Sequence, residues 1–77
     1  MRCYPKEDGQ LYLKPGDYGK DEEGRWWVRP PIEGPHAGVI IDHSITEHED
    51  GTITVSPSIL IDGIYHGYLK KGDWYPC

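Results

Sequence analysis

The segment VIIDHSITEHEDGTITVSPSILIDGIYHGYL, residues 39–69, decides how the chain folds. It holds seven of the chain's eight isoleucines, in short apolar runs stopped by Asp50-Gly51, Pro57 and Asp62-Gly63. Short β-branched runs punctuated by Asp-Gly mark antiparallel strands joined by tight turns. Hydrophobicity then fixes the first register. A two-residue turn at Asp50-Gly51 would pair Thr46 with Val55 and set Ile45 on the face opposite Ile53 and Val55. A three-residue loop of Glu49, Asp50 and Gly51, with Gly51 in the left-handed conformation of a bulge, pairs Ile45 with Val55 and Glu47 with Ile53 instead. Ile45, Ile53 and Val55 then share a buried face, with Thr46, His48, Thr52, Thr54 and Ser56 on the wet one.

Pro57 has no N–H to give to a ladder, so the strand from Thr52 is expected to stop or change edge at Ser56, with a new short strand over residues 58–61. Asp62-Gly63 makes the next turn, and residues 64–70 return. A two-residue turn at Lys71-Gly72 sets Lys70 against Asp73, Leu69 against Trp74 and Tyr68 against Tyr75.

Upstream, residues 1–10 read as a loose lead-in and residues 11–13 as a short strand ending at the type II turn signal Lys14-Pro15-Gly16-Asp17. An acidic loop over residues 20–24 delivers the chain into the strand Arg25-Trp26-Trp27-Val28-Arg29, whose two tryptophans must point to opposite faces. Residues 30–38 read as a surface loop of polyproline character, and the run Val39-Ile40-Ile41 as a further strand. Nothing shows three turns of helical periodicity. The expected fold is all-β: a small antiparallel sheet or half-open roll of five or six short strands without substantial helix, in a single domain spanning residues 1–77.

A chain of 77 residues buries a thin core, so a large enclosed active site is not expected. It has no Phe but six Tyr and three Trp, and these amphipathic rings suit partly exposed contact surfaces as well as a small core. The formal charge of −5 argues against nucleic acid as a partner, because a phosphate backbone would be repelled. No apolar run approaches the ~20 residues that cross a bilayer, and the first residues lack the apolar core of a signal peptide. A cytoplasmic protein without a membrane partner is the expectation. In that compartment Cys3 and Cys77 are thiols, although a disulfide between them is geometrically conceivable.

Candidate chemistry is sparse. His36, His43, His48 and His66 invite a metal hypothesis, but none forms the close pairs typical of zinc sites; His43 and His66 on neighbouring strands are the best alternative ligands. Ser56, Ser58, His43, His66 and Asp42 supply the ingredients of a triad without a nucleophile elbow, and the glycines sit singly at turns rather than in a phosphate cradle. Neither an enzyme nor a cofactor is expected. Regularly spaced carboxylates could imitate DNA, but the acids cluster in turns, where solvated charge explains them.

The run Asp50-Gly51-Thr52-Ile53-Thr54-Val55-Ser56-Pro57-Ser58-Ile59, then His66-Gly67-Tyr68-Leu69, Gly72 and Trp74, resembles the ending of short uncharacterised proteins of bacteriophages and prophages. That pattern is in turn similar to a zinc-ribbon-like family found in bacterial ubiquitin-like conjugation operons. In those relatives a cysteine cluster precedes the ending and a Cys-x-x-His lies within it; here only His66 stands at the histidine position, beside Ile64 and Tyr65. The resemblance implies an accessory protein that acts in a host cell by binding a host or viral protein, such as an enzyme or a defence component. Trp26 or Trp27, Tyr65, Tyr68 and Trp74 are the candidate contact residues. A degenerate zinc-ribbon-like structural module and an acidic DNA-mimic inhibitor are the alternatives.

Overall fold

The computed structural model describes every residue except Pro35 and His36. The expectation for His36 and the middle of the polyproline loop lies outside the described residues. The described chain is all-β, with eight strands and no helix. It divides into two compact units, Met1–Ile41 and Asp42–Cys77, each with its own four-stranded sheet, where the sequence suggested one sheet of five or six strands. Asp42, with φ at +57°, lies between the last strand of the first sheet and the first of the second.

In the first unit β1 (Arg2–Cys3), β2 (Tyr18–Lys20), β3 (Trp26–Val28) and β4 (Gly38–Ile40) lie side by side in chain order. The loose lead-in is corrected here: Arg2 and Cys3 run parallel to Tyr18 and Gly19. Gly19 makes this possible, because a Cβ there would sit 2.5 Å from the Cys3 carbonyl oxygen and 3.1 Å from Leu11 Cδ2. The expected strand over residues 11–13 is not in the ladder. Arg29 holds that segment instead, donating from Nη1 to the Leu13 carbonyl at 2.7 Å and from Nη2 to the Gly34 carbonyl at 2.9 Å. Tyr18 pairs with Val28, and these two side chains and Pro30 are fully buried. Burying a Val-sized side chain contributes about 1.5–3 kcal/mol.

In the second unit β5 (Ser44–Glu47), β6 (Ile53–Ile61), β7 (Tyr65–Lys70) and β8 (Asp73–Pro76) form an antiparallel meander. The first register is the one hydrophobicity selects: Ile45 opposes Val55 and Glu47 opposes Ile53. The His48 N–H donates to the Thr52 carbonyl, the Gly51 N–H closes onto His48 at 3.0 Å, and Gly51 has φ +87°. Across the last turn Lys70 meets Asp73, Leu69 meets Trp74 and Tyr68 meets Tyr75. Lys71 and Gly72 both have positive φ, as a type I′ turn requires.

Pro57 behaves differently from expectation. β6 runs through it unbroken from Ile53 to Ile61, and the Ser56-Pro57 peptide is cis. Pairing with β5 ends at Ser56, while pairing with β7 shifts register between Val55, opposite Leu69, and Ile59, opposite Gly67. The proline therefore occupies a bulge, where no ladder N–H is asked of it. Ile53, Val55, Ile59 and Leu69 are fully buried on one face.

Candidate functional site

The aromatic side chains singled out from the sequence do not gather into one patch. On β3 Trp26 and Trp27 alternate, as the pleat dictates, and both are half-buried. The Arg2 guanidinium lies 4.7 Å from the Trp26 ring centroid and 4.7 Å from that of Tyr4, and Lys20 Nζ stands 5.5 Å from the Trp26 ring. Trp26 is thus covered by its own unit's cations, each contact worth about 0.5–1 kcal/mol at such sites.

Trp27 borders a groove of about 710 Å³ whose lining includes Leu11, Tyr12, Lys14, Glu22 and Arg29. Its charged groups are largely occupied by their own loops. Asp21 Oδ2 accepts from Trp27 Nε1 at 2.8 Å and from Arg25 Nε at 2.8 Å, and Oδ1 accepts from the Glu23 and Arg25 main chains. Partial burial works against ionisation of Asp21, but the Trp27 and Arg25 hydrogen bonds prevail and hold its carboxyl down at about 2. Arg25 also pairs with Glu23 at 3.4 Å. Asp8 accepts from the Tyr12 hydroxyl and the Gln10 N–H, which lowers its pKa while the same contact raises that of Tyr12. Asp17 accepts from the Lys14 N–H and lies 3.4 Å from Cys3 Sγ. With Asp50 capped by the Thr52 N–H and hydroxyl, four carboxylates serve their own turns, which weakens the case for an array displayed as phosphate mimics.

The second sheet has one buried and one open face. Tyr65 and Trp74 belong to the buried side, meeting edge to face at 5.4 Å and 87°. Burial pushes the Tyr65 phenol up. Its ring lies over Gly67, where a Cβ would come within 2.7 Å of Tyr65 Cε2 and of the Tyr75 carbonyl oxygen. Tyr65 and Trp74 are accordingly packing residues. Tyr68 is on the other side, 40% exposed, directly opposite Tyr75 at 51%. Lys70 Nζ stands 5.0 Å from the Tyr68 ring.

The next rung of the open face pairs Leu60, 62% exposed, with His66. Ser58 links this rung to His43: its hydroxyl is 2.9 Å from His66 Nε2, and its carbonyl oxygen is 3.1 Å from His43 Nε2. The Nε2 atom of each imidazole is thus engaged by Ser58. Among the described residues no three His, Cys, Asp or Glu side chains gather to hold a metal. Cys3 and Cys77 are free thiols, and among the described residues no helix is long and apolar enough to cross a membrane.

Sequence reasoning did not single out Tyr75 and Leu60, which are exposed on the open face. The Tyr68–Tyr75 rung already followed from the turn at Lys71-Gly72, so the outward position of Tyr75 was readable. Leu60 was not, because a turn of Asp62-Gly63 alone sets it opposite Tyr65, on the face of Leu69, whereas in the structure it opposes His66. No protein-family model matches this chain, and no curated protein or solved structure is significantly similar to it.

Proposed function

We propose that this chain is a non-catalytic binding module that engages a protein partner through the open face of its second sheet. The observation that carries the reading is the adjacent rungs Tyr68–Tyr75 and Leu60–His66: large rings and an aliphatic side chain displayed on hydrogen-bonded strands. Such side chains lose little conformational freedom on contact, and tyrosine is enriched where partners meet. The phage-like ending extends the proposal to an accessory protein that inhibits or redirects a host enzyme or defence component.

The test compares wild type with the Tyr68→Ser/Tyr75→Ser double variant as baits in a bacterial lysate. A protein captured by wild type and lost from the double variant, with the thermal midpoint unchanged, supports the reading. Equal capture by both baits removes the open face from consideration.

A further inference from the structure

The chain contains three Asp-Gly pairs, Asp8-Gly9, Asp50-Gly51 and Asp62-Gly63, and their turns treat them unequally. Gly9 and Gly51 each occupy the fourth position of a β-turn, so their N–H groups make the closing hydrogen bonds, to Lys6 at 2.8 Å and to His48 at 3.0 Å. Their aspartates are also engaged, Asp8 by Tyr12 and Gln10 and Asp50 by Thr52. At the β6–β7 tip it is the Ile64 N–H that closes onto Ile61, at 2.8 Å. Gly63 is therefore the third residue of its turn, with φ +72° as type II geometry requires. The Asp62–Gly63 peptide is the middle one, which the closing hydrogen bond leaves unused. Among the described residues neither the Gly63 N–H nor the Asp62 carboxylate has a hydrogen-bond partner. Both residues are exposed, and nothing lies within 4 Å of where a Gly63 Cβ would be. This also corrects the expected two-residue turn: Ile61 opposes Tyr65, so the loop holds Asp62, Gly63 and Ile64.

We propose that Asp62-Gly63 is the site at which this protein isomerises its own main chain, converting aspartate to isoaspartate through a cyclic imide. The Gly63 nitrogen attacks Asp62 Cγ in its protonated carboxyl form. An N–Cγ bond forms, the Cγ–OH bond breaks, the nitrogen gives up its proton, and one water leaves. Water then adds to either imide carbonyl; opening on the Cα side leaves the chain running through Cγ, one methylene longer, with the carboxylate on Cα. Composition is restored and nothing is oxidised or reduced. The lengthened backbone breaks the Ile61–Ile64 closure and frays the Ile61–Tyr65 rung.

The experiment incubates the folded full-length chain at neutral pH and locates isoaspartate by enzymatic carboxyl methylation and by fragmentation mass spectrometry of proteolytic peptides. A parallel sample is held in urea. Isoaspartate at residue 62 is expected to accumulate about tenfold faster than at residue 8 or 50, because each hydrogen bond that must open first slows attack several-fold. In urea the three rates converge, and Asp62→Glu abolishes the main site in the folded chain. Comparable rates at the three pairs in the folded chain would overturn the proposal, and so would a preference for residue 62 that persists undiminished in urea.

Discussion

The two halves of this small protein use their polar and aromatic residues in opposite ways. In the first unit nearly every such group turns back on its own loops: Arg2 lies against Tyr4 and Trp26, Asp21 accepts from Trp27 and Arg25, and Arg29 clamps Leu13 and Gly34. Among the described residues only three strand positions there, Tyr18, Gly19 and Val28, are buried, so the polar ties carry much of the work of ordering long loops. In the second unit four aliphatic side chains are buried on one face of a meander. Apolar burial holds that sheet, which leaves Tyr68, Tyr75 and Leu60 unneeded by the core. A sheet that spends its apolar residues on one face can offer the other to a partner.

The largest expected effect is in that core. Leu69→Ala should cost about 2–5 kcal/mol, as deleting a fully buried leucine generally does, and should collapse the dispersion of second-sheet amide resonances. If thermal melting of Leu69→Ala were close to wild type, the division of labour between the units would be wrong.

Next in size is the close approach of β1 to β2. Gly19→Ala drives a methyl to 2.5 Å from the Cys3 carbonyl oxygen, and such overpacking costs about 1–3 kcal/mol. Chemical denaturation should show the loss. Amide exchange should place it in residues 2–3 and 18–20, with β6 and β7 keeping their protection, which sharpens the contrast between the units.

Acid should weaken the first unit more than the second, since three of the four lowered carboxylates, Asp8, Asp17 and Asp21, belong to it. The Asp21 carboxyl is held at about 2 in the folded chain and returns to about 3.9 on unfolding. The lowered folded value means that its contribution is present above pH ~4 and is lost as the pH falls toward ~2. Asp8, Asp17 and Asp50 are shifted in the same direction, so some loss occurs in both units. The Trp27 indole N–H resonance should move within this window, and in Asp21→Asn it should stay flat. An indole that titrates alike in both proteins would dissociate Trp27 from Asp21.

The smallest effect on stability is expected on the open face. Tyr68→Ser and Tyr75→Ser should each change the unfolding free energy by about 0.5 kcal/mol or less, in line with exposed substitutions. Losses of 2 kcal/mol or more, on the scale of buried side chains, would show these rings to be structural.

How legible each half is follows from its connections. The registers Ile45–Val55 and Tyr68–Tyr75 could be worked out because loops of two or three residues leave the strands little choice once the apolar positions must share a face. The pairing of Arg2–Cys3 with Tyr18–Gly19 could not. It is parallel and closed by residues 4–17, so no turn residue announces it, and Gly19 reveals its role only when the Cys3 carbonyl is beside it. Pro57 misled for a related reason: a proline argues against a ladder position, but a bulge removes the need for its N–H without ending the strand. The residues of the proposed contact face were half legible. The alternation that turns Tyr68 outward also turns Tyr65 and Trp74 inward.

The most direct test of the account is an amide hydrogen-exchange footprint of the protein bound to whatever partner wild type captures. Slower exchange in the complex across residues 66–70 and 73–75, with residues 26–28 unchanged, is the predicted result. Protection confined to residues 8–14 and 26–28, leaving β7 and β8 as they were, would contradict it and move the contact surface to the groove beside Trp27.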